Sequence, residues 1–170
     1  TPEPAASDEE RAHAQGIIDF SNAASMLLEE GVGGRYPALI LQAVKGYREI
    51  FVAEPVSGPK PEASCAAQIS PQPDEGLFGS TAALLSADLA TMDRERQSMQ
   101  NQYAQLRKYA ADTTIRDDGV RGDELCGGIS TAGKAFAAAR EHFFSLVNPA
   151  AEEAQDTLLR AHPLRGQFRL

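Results

Sequence analysis

The sequence predicts an all-α protein: an antiparallel bundle of four main helices plus a short C-terminal helix, with a long Pro-rich connection between the second and third. Two observations predict it. Four stretches carry apolar residues at alternating steps of four and three, which gathers them on one helical face, and no stretch shows the strict alternation of a half-buried strand. The strongest pair lies between Ser80 and Leu146. Leu85, Leu89, Met92, Arg96, Met99, Tyr103, Leu106 and Ala110 form one stripe; Leu125, Ile129, Ala132, Phe136, Ala139, Phe143 and Leu146 form the other. A polar, acidic turn joins them, so the two stripes can bury each other as a helical hairpin.

Taken in order, residues 1–7 are Pro/Ala-rich and acidic, the composition of a disordered tether. Such a segment fits the tether that follows a cleaved export or lipoprotein signal, and equally a trimmed disordered end. Ser7-Asp8-Glu9-Glu10 is a capping-box pattern, in which Ser7 and Glu10 satisfy each other's unpaired backbone donors. The first helix should run from there to about Glu30, burying His13, Ile17, Phe20, Ala24 and Leu27, until Gly31, Gly33 and Gly34 stop it. Pro37 suits the first turn of a second helix, with Ile40, Val44, Tyr47 and Phe51 on its inner face. The short connection makes these two helices antiparallel.

Residues 53–79 form the Pro-rich connection, holding Pro55, Pro59, Pro61, Pro71 and Pro73. That composition favours extended or irregular chain and implies a crossover along the bundle or a loop. The third helix should begin near Ser80 or Thr81 and span about 30 residues, ~45 Å. Arg96 within its stripe reads as a snorkelling side chain at the bundle edge, or more sharply as a buried ion pair. Residues 112–122 read as turn. The fourth helix follows, carrying Gly127, Gly128 and Gly133, which would permit another chain to approach closely. Asn148-Pro149 should end it and open a short fifth helix reaching about Ala161. The helical domain thus covers residues 8–163, and the basic residues 164–170 form a frayed tail.

Composition bounds the function. Hydrophobic residues at 42% and charged residues at 24% are ordinary for a globular chain. A net charge of −8 argues against nucleic acid, which needs a clustered basic surface, and against docking on anionic lipid. No apolar run approaches the roughly 18 residues of a transmembrane span.

Candidate chemistry is sparse. Glu10 and His13 match Glu-x-x-His, which places two metal ligands on one helical face, but a di-iron bundle needs two such motifs and two further carboxylates. His142 and His162 have no Glu three residues before them, and His142 reads as a partly exposed helical histidine. Asp118-Gly119 has the look of a calcium loop. With Gly119 at the sixth position, acids are needed at 114 and 125, where Thr114 and Leu125 stand. Gly31, Gly33 and Gly34 follow a helix rather than a strand, so they are no dinucleotide loop. No catalytic, cofactor-binding or metal residue is assigned.

Cys65 and Cys126 are the only cysteines. In a reducing compartment they are two unrelated thiols; in an exported protein they form a disulfide. That bridge would tie the Pro-rich connection to the start of the fourth helix. It would close a loop of about 60 residues and contribute roughly 4 kcal/mol in the chain-entropy treatment.

One further pattern bears on compartment. The first helix carries Ile17-Ile-Asp-Phe-Ser-Asn22, and the long helix ends in Tyr103, Lys108-Tyr109-Ala-Ala-Asp112. Asp117-Asp118-Gly119, Gly122-Asp-Glu-Leu125, Phe136 and Phe143 follow. This order, over about half the chain, resembles the YiiG-like bacterial lipoproteins, helical envelope proteins without an assigned activity. The Pro-rich connection and the cysteines depart from that pattern. The resemblance implies export to the periplasm or cell surface and a lipid anchor upstream of Thr1. The reading expected from the whole is a non-enzymatic envelope protein that binds an unidentified partner or serves a structural role, with no cofactor. The alternative is a metal-dependent helical-bundle enzyme or metal-binding protein resting on Glu10 and His13.

Overall fold

The structure, a computed structural model, describes residues 4–30, 40, 72–112, 114 and 119–162. These residues are mostly helical, and no strand occurs among them. Helix α1 spans Asp8–Ser25 and continues into a π-helical turn, Met26–Glu30. Helix α2 is the single turn Glu75–Phe78, α3 is Thr81–Ala111 and α4 is Val120–Ala161. The second predicted helix apart from Ile40, residues 53–71 of the connection including Cys65, and the tail lie outside the described residues.

The predicted capping box starts α1. The Ser7 backbone N–H donates to Glu10 Oε2 at 2.6 Å, and the Glu10 N–H donates to Ser7 Oγ at 3.2 Å. Ala14, Ile17, Phe20 and Ala24 are buried along the helix. The inner face differs from expectation at its first residue. His13 is exposed and Ala14 takes the inner position, packed with Ile17 against Ala154 of α4. At the other end Leu27 packs half-buried against the core as expected, and Leu28, four residues after Ala24, is buried as well.

Asp74 caps α2, its carboxylate accepting from the Gly76 N–H at 2.8 Å. Gly79, at φ +56°, then turns the chain into α3. The last part of the predicted irregular connection is therefore a docked helical turn, held by Leu77 and Phe78. The Phe78 ring meets Phe20 edge-on at 4.8 Å.

Helices α3 and α4 form the predicted hairpin. Asp112 closes α3, accepting from the Thr114 N–H at 2.9 Å and its hydroxyl at 2.6 Å. Gly119, at φ +83°, leads into α4, which begins at Val120, inside the segment expected to be turn. Arg121 helps fix this start. It donates to Glu124 at 2.8 Å and reaches across the hairpin to Gln105 at 3.1 Å.

The expected break at Asn148-Pro149 does not occur. A single helix of 42 residues runs through Pro149, and there is no separate fifth helix. Proline removes one helical donor and crowds the carbonyl four residues earlier, here that of Ser145. Ser145, Asn148 and Pro149 are all exposed, so water can serve that carbonyl. The inner stripe meanwhile keeps its phase, through Phe143, Val147, Ala150, Ala154 and Leu158. Helix α1 packs along it on both sides of the proline.

Helix α4 is thus the axis. Met99, Tyr103 and Leu106 of α3 meet Leu125, Ile129 and Ala132 near the hairpin tip, where Ile40 is also fully buried. Phe20, Ala24 and Leu28 join Leu85, Met92, Phe136, Phe143 and Val147 at mid-length. Ala14 and Ile17 meet Ala154 at the far end. In each pairing rising numbers on α1 or α3 meet falling numbers on α4, so both run antiparallel to it.

Candidate functional site

A cleft of about 560 Å³ opens where the first half of α1 passes the last three turns of α4, with α2 at its base. Its floor follows from the small residues of the core stripe. Ala14, Ala150 and Ala154 bring the two helices together, and Ile17, Leu77 and Phe78 complete an apolar surface. Gly16 belongs to the same fit, since a Cβ there would stand 2.8 Å from a methyl group of Leu77.

The rim is polar. Glu9, Glu10 and His13 come from α1; Glu153, Thr157 and Arg160 come from α4. These side chains are not equally available. Glu10 is committed to the capping box. The Ser7 backbone and hydroxyl hold its carboxyl below the ordinary carboxylate range, and the positive charge of Arg160 adds to this. Arg160 also donates to the Thr157 hydroxyl at 3.3 Å. The side chains of Glu9, His13 and Glu153 are exposed and form no hydrogen bond or ion pair among the described residues; the Glu153 backbone carbonyl accepts from the Thr157 hydroxyl at 3.0 Å.

The Glu10/His13 pair of the sequence therefore lies on one wall of a real cavity. Among the described residues, however, no group of three or more His, Cys, Asp or Glu side chains converges as a metal site would require. What the arrangement offers is a shape: an apolar floor for a hydrocarbon body and two uncommitted carboxylates above it.

The remaining candidates are placed as follows. Cys126 is half-buried against the hairpin-tip core, whereas Cys65 lies outside the described residues. Beside it, a Cβ on Gly128 would collide with the amide end of the Gln102 side chain, so a side chain of α3, and no backbone, occupies that space among the described residues. A Cβ on Gly127 would meet nothing within 4 Å. Arg96 is largely covered and pairs with Asp93, whose side chain is exposed, so it lies between the two expectations, an ion pair at the edge of the helix pair.

Two polar features were not foreseen. His142 Nδ1 lies 2.6 Å from Asp88 Oδ2, linking α4 to α3, a pairing separated by 54 positions that no local pattern announces. Tyr103 is buried with no hydrogen-bond partner for its hydroxyl among the described residues, and burial pushes its pKa above the ordinary tyrosine value. The cleft itself was also missed, because the alanines that create it read as helix formers. The chain matches no protein-family model, no curated protein and no solved structure.

Proposed function

We propose that this chain is a non-enzymatic exported protein of the bacterial envelope, anchored by a lipid upstream of Thr1, that acts by binding a partner in the cleft between α1 and α4. The cleft carries the binding part of this reading. Its size falls in the range of ligand sites, roughly 300–1,000 Å³, and it combines an apolar floor with a few polar groups at the mouth. The envelope placement draws support from the sequence alone: the Pro/Ala-rich residues 1–7, the cysteine pair and the resemblance to YiiG-like lipoproteins. In that compartment Cys65 and Cys126 are joined.

The reading extends to the architecture. The second helix, expected from Pro37 to Phe51, completes a four-helix antiparallel bundle. Ile40 supports it, being helical and fully buried among Met99, Tyr103, Leu125 and Ile129.

Fractionation of cells expressing the natural precursor tests the placement. Recovery in the envelope with a lipid-modified N-terminus, and no free thiol by intact mass before reduction, is the expected result. Recovery in the cytosol with two reduced thiols would overturn it. Stoichiometric transition metal in protein purified without chelator would replace the non-enzymatic reading by the metal-dependent bundle.

A further inference from the structure

We infer that the ligand of the α1–α4 cleft is a small apolar cation, an amine carried on an alkyl or aryl body. This deepens the proposed binding role and rests on it. The argument is one of charge and shape. The cleft holds three carboxylates, those of Glu9, Glu10 and Glu153, against the single guanidinium of Arg160. Arg160 stands near the Glu10 carboxylate, which the capping box already fixes in place. That leaves the side chains of Glu9 on the α1 wall and Glu153 on the α4 wall without a partner among the described residues, and His13 beside the first.

An anionic ligand would face two carboxylates uncompensated among the described residues and find the one described cation of the lining, Arg160, already neighboured by an acid. A neutral apolar ligand would gain the floor but nothing from the rim. An ammonium group on an apolar body gains both. Its body covers the half-buried Leu77 and Phe78, removing their apolar surface from water, and its charge is held between the walls. Because both carboxylates are exposed, the attraction is screened by salt.

The test is titration calorimetry of the full chain with 4-phenylbutylamine, 4-phenylbutanol and 4-phenylbutyrate, which share one body and differ in charge. The amine should bind at least tenfold more tightly than the butyrate, with the alcohol between them, and high salt should narrow the gap. The double substitution Glu9→Gln, Glu153→Gln should bring amine binding down to that of the alcohol. Ala150→Phe, which fills the floor, should abolish binding of all three, with circular dichroism confirming that the variant remains folded. Equal binding of amine and butyrate, both blocked by Ala150→Phe, would overturn the cationic ligand while leaving the cleft as a binding site. Binding of none of the three, or binding that Ala150→Phe leaves intact, would overturn both. Amine binding unaffected by the double substitution would also reject the inference.

Discussion

The two ends of α4 meet their partners in different ways. Near the hairpin tip, Leu125 and Ile129 interlock with Met99, Tyr103 and Leu106, none more than 4% exposed. At the far end, Ala150 and Ala154 face Ala14, and a cleft remains beside them. Both ends use the same helical stripe with the same period. Large side chains fill the space between two helix surfaces, whereas alanines bring the backbones close along a narrow seam and leave the flanking polar side chains standing apart. Residue size, not periodicity, decides whether a helix pair closes or opens a cleft.

That comparison can be broken most severely at its midpoint. Phe143 is fully buried where α1, α3 and α4 meet. Phe143→Ala should cost about 3–5 kcal/mol through lost burial and a cavity. Urea unfolding should show one transition moved to lower midpoint; a loss confined to one end would show that the two ends fold independently.

Pro149 divides the same two ends by a missing hydrogen bond. Pro149→Ala restores a donor to the Ser145 carbonyl, against which the unfolded chain gains freedom, for a net gain of about 2 kcal/mol. Lower stability in this variant would mean that the helix is shaped by its proline rather than merely tolerant of it.

The closed end carries one polar flaw, the Tyr103 hydroxyl, unpartnered among the described residues. Tyr103→Phe should be neutral or raise stability by up to about 1 kcal/mol. It also gives a pH signature. The folded-state pKa of Tyr103 lies above its ordinary value of 10.0, so the folded state keeps the proton that the unfolded chain releases. Its contribution to stability is full below pH 10 and declines as pH rises through the folded value. Urea midpoints measured on both sides of pH 10 should fall in the wild type and fall less in the variant.

The open end carries an effect of the same small size. Ser7→Ala removes the α1 cap and should cost roughly 1 kcal/mol, read by thermal unfolding at neutral pH. The Glu10 carboxyl is held below its ordinary value of 4.5, so its contribution is present above that pH and lost as pH falls through the folded value. The wild type and Ser7→Ala should therefore converge in stability under acid.

Much of the fold was legible because its signals are local. The capping box of Ser7 and Glu10, the limits of α3 and the pairing of its stripe with Leu125–Phe143 all follow from residues a turn or two apart. Legibility failed where distant packing arbitrates between adjacent choices. His13 and Ala14 are equally good on a helical wheel, and only the arrival of Ala154 selects one. Asp74, Leu77 and Phe78 did carry a readable signal, a capping acid before two large apolar residues, which the surrounding prolines obscured.

By itself the sequence determined that the described residues are mostly helical, where α1 and α3 begin and that the stripes of α3 and α4 pair, because helix formation and amphipathic pairing depend on spacing within a few turns. Only the tertiary structure decided that α4 runs through Pro149, that His142 meets Asp88, and that Glu9 and Glu153 share a cleft. Each of those depends on which helix lies alongside, and a helix's own residues do not encode the size of the gap its neighbour leaves.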